Sequence, residues 1–114
     1  MPEKCIFCQI AKGESPAEVE YEDPEVIGFW DVQPKAPTHI LIIPKKHIES
    51  IEKIKPEDLP ILGKMFAAAR SIAHKKKLQE NGYRLVINYG PQAGMAVNHL
   101  HLHLLGGKAL GELA

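Results

Sequence analysis

The chain has 114 residues, of which 45% are hydrophobic and 25% charged, with a formal net charge of +0 and a pI near 7.0. This size predicts one domain over residues 1–114, and the balanced charge gives no indication of a nucleic acid or an anionic membrane as a partner. There is no apolar signal core at the N-terminus, and no stretch approaches the roughly 20 apolar residues of a membrane span, so the sequence favours a globular cytoplasmic protein.

Short elements separated by turn residues are predicted for the first half of the chain. Residues 8–12, followed by Gly13, are typical of a short helix that ends at a glycine. Apolar and β-branched runs then predict three strands, with a turn at Asp23-Pro24, a loop at 33–37 and Pro44 as the stop of the third strand. The three strands are expected at 19–22, 26–30 and 39–43.

One long helix is predicted at about 56–77. Pro56 suits the first helical turn, where Glu57 and Asp58 also interact favourably with the helix dipole. The spacing of apolar residues at three and four predicts one buried face. Its expected members are Leu59, Leu62, Met65, Phe66, Ala69, Ile72 and Ala73. Asn81-Gly82 is expected to end this segment.

Two further strands are expected at 84–88 and 98–105, with a glycine-containing loop at 90–94 between them. Together with the earlier elements, this order of strands and helices predicts an α+β domain. Its expected architecture is a mostly antiparallel five-stranded sheet with one long helix and one short N-terminal helix.

Three histidines alternate with leucines in His99-Leu100-His101-Leu102-His103. On a strand, this alternation places the imidazoles on one face and the leucines on the core face. Neighbouring cations repel each other, so at least one imidazole should stay neutral near pH 7. Three interpretations remain open at this point: a solvated polar face, a metal site formed by all three histidines, or nucleophilic catalysis in which one histidine attacks phosphorus.

Both cysteines of the chain lie in Cys5-Ile6-Phe7-Cys8. In a reducing compartment, this pair indicates metal binding or redox activity instead of a structural disulfide. The spacing alone does not distinguish between these uses, and a free thiol pair is a further alternative.

The His-x-His-x-His pattern followed by two apolar residues resembles the signature of the histidine triad superfamily. Other segments resemble that family in order and spacing over nearly the whole chain: Cys5-Ile6-Phe7-Cys8, Tyr21-Glu22-Asp23, Phe29-Trp30-Asp31, Ala36-Pro37-Thr38-His39, Ile43-Pro44-Lys45-Lys46-His47, Asn88 and residues 94–107. The resemblance is closest to the nucleotide-binding branch that acts on purine nucleoside phosphoramidates and related adenylated compounds. It implies a histidine triad fold for residues 1–114.

The resemblance implies covalent catalysis by His101. This residue would attack the α-phosphorus and form a nucleotidyl-histidine intermediate, from which water would release AMP or GMP. His99 and His103 would hold the tautomer of the nucleophile and contact the phosphate. His39 would lie near the catalytic face and support these histidines.

A nucleoside pocket is implied on the N-terminal segment and the early strands. Asp31 would accept hydrogen bonds from the ribose hydroxyls, Asn88 would contact ribose or phosphate, and turn amides around 94–97 would face the phosphate. Core packing is the alternative for the apolar members, and a turn role is the alternative for Asp31. The expected nucleotide-binding residues are Ile6, Phe7, Ile10, Phe29, Trp30, Asp31, Val32, Asn88, Gly94, Ala96, Val97, His101 and His103.

The resemblance also implies a structural zinc site. In zinc-bearing members of the family, the cysteine pair is joined by the histidine of a Pro-Lys-x-His segment and by the first histidine of the triad. The corresponding ligands in this chain are Cys5, Cys8, His47 and His99. Four protein ligands leave no open position, so the Zn²⁺ would be structural and would fix the N-terminal segment to the sheet.

One departure from the family concerns Ala96, where relatives commonly carry a serine that serves the leaving group. Alanine cannot donate a hydrogen bond or a proton, so weaker phosphoramidase activity or a preference for better leaving groups is expected.

The family also implies a homodimer, formed through the long helix and the 84–88 strand. Two alternatives to a hydrolase remain: a nucleotide-binding regulatory or scaffolding protein with negligible turnover, and a metal-binding protein with zinc in the triad. The second is disfavoured by the separate cysteine–histidine set.

Overall fold

Five strands form a single antiparallel sheet in the computed structural model, which describes residues 5–113. They are β1 (Val19–Glu22), β2 (Val26–Trp30), β3 (Thr38–Pro44), β4 (Tyr83–Val86) and β5 (Leu102–Gly106). Their order across the sheet is β1-β2-β3-β5-β4, and all neighbours run antiparallel. The end of the histidine triad therefore lies inside the sheet, with β3 on one side and β4 on the other.

Within the described residues, two α-helices accompany the sheet, α1 (Ile6–Ala11) and α2 (Leu59–Lys75). Short 3-10 turns occupy Ile51–Lys53, Pro56–Asp58, Leu78–Glu80 and Pro91–Ala93. The predicted α+β class, with a five-stranded antiparallel sheet, one long helix and one short N-terminal helix, is confirmed. Neither helix within residues 5–113 has the length and apolar character needed to cross a membrane.

The two faces of the sheet carry separate cores, called here the α2-side core and the α1-side core. Residues of β2 and β3 alternate between them, as the two-residue period of a strand requires. The α2-side core contains Val26, Ile40, Ile42, Ile48, Met65, Ala68, Ala69, Ile72, Ala73, Leu78, Leu100, Leu102 and Leu104. The α1-side core contains Cys5, Phe7, Cys8, Ile27, Phe29, Leu41 and Ile43.

Gly28 lets α2 approach the sheet closely. A Cβ atom at this position would lie 3.1 Å from Cδ1 of Ile72 and 3.5 Å from Cγ1 of Ile42. Both neighbours belong to the α2-side core, where volume is tightly filled and little room exists for adjustment. The absence of a side chain in the middle of β2 is thus a packing requirement.

The long helix differs from its prediction at both ends. Its first turn is the 3-10 turn Pro56–Asp58, and its α-helical part ends at Lys75, before the predicted stop at 81–82. The chain reverses at Lys77, whose φ of 61° is left-handed, and so returns Leu78 to the α2-side core. Two members of the predicted buried face, Leu59 and Phe66, are instead 53% and 42% exposed.

The strand predictions hold for β1 and β2, while β3 extends one residue further at each end. The predicted 84–88 strand is shorter and ends at Val86. The predicted 98–105 strand begins only at Leu102, because the preceding backbone bonds elsewhere: the amide of Leu100 donates to the carbonyl of Ile48 at 2.6 Å. The first helix begins at Ile6 instead of Cys8, and the Cys5 sulfur accepts from the Cys8 amide as its N-cap.

Candidate active site and metal cluster

The triad segment has leucines on one side of the sheet and imidazoles on the other. Leu100, Leu102 and Leu104 are at most 1% exposed and pack in the α2-side core. The rings of His101 and His103 lie on the α1 side, with their centroids 5.1 Å apart. The predicted alternation is confirmed, although the first two histidines precede the regular strand.

His101 is held in one tautomer by the backbone. Its Nδ1 lies 2.7 Å from the carbonyl oxygen of His99, and a carbonyl oxygen only accepts hydrogen bonds. Nδ1 therefore carries the proton in the neutral ring, and Nε2 keeps an unshared electron pair. The ring is 7% exposed and meets Phe7 edge-on at 5.2 Å between centroids. These contacts orient Nε2, whose unshared electron pair could act as a nucleophile.

A second chain of hydrogen bonds fixes the tautomer of His103. The backbone amide of Lys35 donates to Nδ1 of His39 at 3.0 Å, so the proton of neutral His39 resides on Nε2. That nitrogen lies 2.9 Å from Nδ1 of His103 and 3.5 Å from an Asp31 carboxylate oxygen. Because Nδ1 of His103 accepts, neutral His103 carries its proton on Nε2 and is a hydrogen-bond donor there.

Burial keeps these imidazoles neutral. Together with the neighbouring His101 and His39, it lowers the pKa of His103 to about 4, against the opposing effect of Asp31. Burial also lowers the pKa of His39, against the opposing effect of Asp31 and with a contribution from Lys35. The expectation that at least one triad imidazole stays neutral near pH 7 is confirmed.

A cavity of about 590 Å³ opens beside His101 and His103. Its volume and mainly apolar wall suit a small organic ligand with a few oriented polar groups. The structure brings twelve of the thirteen expected nucleotide-binding residues to this cavity: Ile6, Phe7, Ile10, Phe29, Trp30, Asp31, Val32, Gly94, Ala96, Val97, His101 and His103.

Asn88 lies instead in a smaller adjoining cavity of about 320 Å³. The two cavities share Asp31, Lys35, Gly94 and His103 as wall residues. The side-chain amide of Asn88 donates to the carbonyl of Ala93 at 2.6 Å, which fixes its orientation.

The loop at 94–97 offers fewer free amides than the sequence suggested. The amides of Gly94 and Met95 donate to the carbonyls of Pro91 and Gly90, at 3.1 Å each. These bonds close the 3-10 turn before the loop, and Gly94 has the positive φ of 81° that the turn requires. The amides of Ala96 and Val97 are the remaining candidates for an anion.

Trp30 reaches the cavity wall while its indole packs toward the α2-side core. The indole nitrogen donates to Glu20 at 2.9 Å, and the ammonium of Lys76 lies 4.8 Å from the ring centroid. The Trp30 bond, ahead of Lys76 and Lys75, lowers the pKa of Glu20 despite burial. The contacts that hold the indole ring therefore lie on the α2 side of the sheet, opposite to the face that carries the imidazoles of His101 and His103.

Four potential metal ligands converge between α1 and the triad. Their ligand atoms, on Cys5, Cys8, His47 and His99, lie within 4.8 Å of one another. Cys8 Sγ is 3.1 Å from His47 Nδ1 and 3.5 Å from His99 Nδ1, and Cys5 Sγ is 3.3 Å from His99 Nδ1. Tetrahedral coordination with ordinary bond lengths separates sulfur and nitrogen ligands by roughly 3.6 Å. This cluster could bind a metal ion with little rearrangement.

The surroundings of His99 fit metal binding as well. Its Nε2 lies 2.8 Å from the carbonyl of Pro44, so the proton resides there and Nδ1 presents an electron pair to the sulfurs. The ring is fully buried, and burial lowers the pKa of His99 to about 4. Burial also raises the pKa of the Cys8 thiol to about 11, so a bound cation would have to displace its proton.

Several cavity residues were not predicted from the sequence: Ser15, Pro16, Ala17, Gln33, Lys35 and Leu41. Leu41 carried a usable signal, because it follows His39 by two positions on the same strand and so shares its face. The others lie outside the α-helices and strands, where no periodicity indicates the direction of a side chain.

Comparison with known proteins identifies relatives along almost the entire chain. Residues 4–112 match the family model described as "Scavenger mRNA decapping enzyme C-term binding". The purine nucleoside phosphoramidase of Escherichia coli strain K12 is 42% identical over 113 residues, covering 99% of this chain and 95% of that protein. A HIT family hydrolase from Legionella pneumophila has a TM-score of 0.92 at 46% identity, covering 95% of this chain and 96% of its own. A histidine triad protein from Clostridium difficile has a TM-score of 0.93 at 41% identity, covering 96% of each chain.

Proposed function

The chain belongs to the histidine triad (HIT) family and is related to its nucleotide hydrolases, and we propose that it cleaves purine nucleoside phosphoramidates or related adenylated compounds. The product would be a nucleoside monophosphate, AMP or GMP. The reaction would pass through a nucleotidyl-histidine intermediate. One observation carries this proposal: the His99 carbonyl fixes the proton of His101 on Nδ1, beside a cavity of suitable size.

The first step forms a bond between His101 Nε2 and the α-phosphorus while the bond from phosphorus to the leaving group breaks. The electron pair of the broken bond leaves with that group. In the second step, water attacks the phosphorus and gives up a proton to the solvent, the phosphorus–nitrogen bond breaks, and its electron pair returns to Nε2. Dividing the displacement into two steps is the general advantage of a covalent nucleophile.

Neighbouring groups would supply positioning and charge stabilisation. His103, with its proton on Nε2, would donate to a phosphate oxygen, and this donation becomes stronger as charge develops in the transition state. Asp31 accepts the Gln33 amide on one oxygen, and its other oxygen would receive a ribose hydroxyl. Phe7 and Phe29, whose rings meet edge-on at 5.5 Å, would form the apolar slot for the purine.

The metal cluster would hold Zn²⁺ through Cys5, Cys8, His47 and His99. Two thiolates and two imidazoles form a set that zinc prefers, and with four protein ligands the ion would be structural. It would tie α1, which carries Phe7, to the segment that carries the catalytic histidine.

A homodimer is proposed through the outer surface of β4 and α2. β4 is at an edge of the sheet, and all four of its residues are only half-buried. On α2, Leu59 and Phe66 expose apolar side chains. Open strand edges and exposed apolar residues are typical of surfaces that pair with another chain. Sedimentation equilibrium would test this proposal, and a monomer at micromolar concentration would contradict it.

Turnover of adenosine phosphoramidate tests the proposed hydrolase activity. Purified protein should release AMP, detected by chromatography, whereas His101→Ala should lose at least about a thousandfold in kcat. His74→Gln, on the exposed surface of α2, provides the matched control. If wild-type protein binds AMP tightly but releases no AMP from the substrate, the result supports the alternative of a regulatory nucleotide-binding protein. Ala96, at the position where relatives carry the serine that serves the leaving group, is consistent with that alternative.

A further inference from the structure

Lys35 is the single lysine or arginine that lines either cavity within the described part of the chain. Its ammonium lies 3.4 Å from the carbonyl of Gln33 and takes part in no ion pair among residues 5–113. Lys35 is a wall residue of both cavities, the other charged wall residue is Asp31, and that carboxylate lies beside His39. A positive charge without a carboxylate partner is thus available at the site.

The smaller cavity is bordered by His103 but not by His101, the proposed nucleophile. His103 lines both cavities, whereas His101 lines only the larger one. In an in-line displacement at phosphorus, the leaving group departs opposite the attacking nitrogen. A nucleotide in the larger cavity would direct its leaving group toward the smaller cavity, where Lys35 and Asn88 are wall residues.

We propose that Lys35 is a specificity-determining residue that selects substrates with an anionic leaving group. This inference rests on the proposed hydrolase activity and names a substrate class for it. When the phosphorus–oxygen bond breaks, a phosphate, polyphosphate or sulfate keeps the electron pair and departs without needing a proton. Its negative charge increases during the step, so a nearby ammonium stabilises the transition state more than the ground state.

An amine leaving group has the opposite requirement. When the phosphorus–nitrogen bond breaks, the nitrogen must acquire a proton, so the departing amine carries away little negative charge for an ammonium to stabilise. The adjoining wall at Gly94, Ala96 and Val97 carries no side chain that could donate one. Lys35 therefore favours anionic leaving groups over amines.

The test compares two substrates that share the nucleotidyl group and have small leaving groups, adenosine phosphoramidate and adenosine 5′-phosphosulfate. The measured quantity is the ratio of kcat/KM for the phosphosulfate to kcat/KM for the phosphoramidate. Lys35→Gln should lower this ratio about tenfold. This effect is smaller than that of removing a buried hydrogen-bond donor, because Lys35 is exposed to solvent. Lys35→Arg, which keeps the charge, should restore the ratio to within about twofold of wild type.

Lys55→Gln provides the charge-matched control, because Lys55 is exposed and lies outside both cavities. An unchanged ratio in Lys35→Gln, or an equal fall in Lys55→Gln, would overturn the inference while leaving the hydrolase proposal intact. Failure of wild-type protein to release AMP from either substrate would overturn both.

Discussion

The Nδ1 atom of His101 lies 2.7 Å from the carbonyl oxygen of His99, two residues earlier in the same segment. A backbone carbonyl oxygen can only accept a hydrogen bond, so this bond fixes the proton of neutral His101 on Nδ1. It also links the proposed metal cluster to the proposed nucleophile, because His99 belongs to the cysteine–histidine cluster. The same short segment thus supplies a metal ligand and positions the reactive ring.

Loss of the metal cluster should reduce stability. Purified protein is predicted to contain one zinc ion per chain. Cys8→Ser should lose it and be destabilised by at least about 2 kcal/mol, because metal-binding free energy contributes directly to folding. Elemental analysis and thermal unfolding would measure the two effects. His74→Gln removes a histidine outside the cluster and should retain both metal and stability, whereas an equal loss in the two variants would contradict the assignment.

A serine at position 96 should improve turnover of amine-leaving substrates. Ala96 lines the larger cavity beside His101, and a hydroxyl there could donate to a departing nitrogen. We expect Ala96→Ser to raise kcat for adenosine phosphoramidate about tenfold or more, within the range of general acid catalysis. Ala93→Ser, with the same change outside the cavity, is the control. Equal kcat values for Ala96→Ser and wild type would refute this role of position 96.

Two glycines should respond in opposite directions to alanine. Gly28→Ala places a methyl group 3.1 Å from Ile72 in a filled core and should destabilise the fold by about 1–3 kcal/mol. Gly63 lies in α2, and a methyl group there would meet no atom within 4 Å beyond its chain neighbours and the nearby backbone of its own helix. Gly63→Ala should therefore stabilise the fold by roughly 0.5–1 kcal/mol through higher helix propensity. Urea unfolding gives both values, and a neutral Gly28→Ala would show that α2 can move away from the sheet.

Acidification should weaken the fold through His103. Its pKa is about 4 in the folded protein against an ordinary 6.5, because the ring is half-buried with His101 and His39 beside it and with Asp31 only partly compensating. Between these values the unfolded chain binds more protons, so stability is complete above about pH 6.5 and falls toward pH 4. The full shift corresponds to about 3 kcal/mol, and solvent screening of this partly exposed ring reduces the expected loss to about 1–2 kcal/mol. His103→Gln should flatten this part of the stability profile, and an unchanged slope would contradict the assignment.

Regular alternation explains which parts of the fold the sequence predicts well. β1, β2 and most of β3 follow from their apolar runs, and the leucines of the triad segment reach the α2-side core as their spacing requires. The ends of strands and helices were predicted less accurately where tertiary contacts override the local conformational preference of the sequence. Leu100 bonds to Ile48 ahead of β5, and the left-handed Lys77 ends the helix region early.

The candidate site was predictable where it depends on motif spacing and less so where it depends on loops. The converging cysteine and histidine ligands come from segments that the family resemblance had already connected. The bond from the Lys35 amide to His39, and the position of the Lys35 ammonium, depend on how the loop between β2 and β3 folds. A loop conformation of this kind has no periodic pattern in sequence.

The central claim is that His101 becomes covalently attached to the nucleotide during turnover. Protein mixed with adenosine phosphoramidate and quenched in alkaline denaturant, which preserves the acid-labile phosphorus–nitrogen bond to histidine, should be analysed by mass spectrometry, in parallel with His101→Ala. The account predicts an adduct of nucleotidyl mass on wild-type protein alone, accompanied by released AMP and located by peptide mapping to residues 99–103. AMP release without any adduct, or an adduct that persists in His101→Ala, would contradict it.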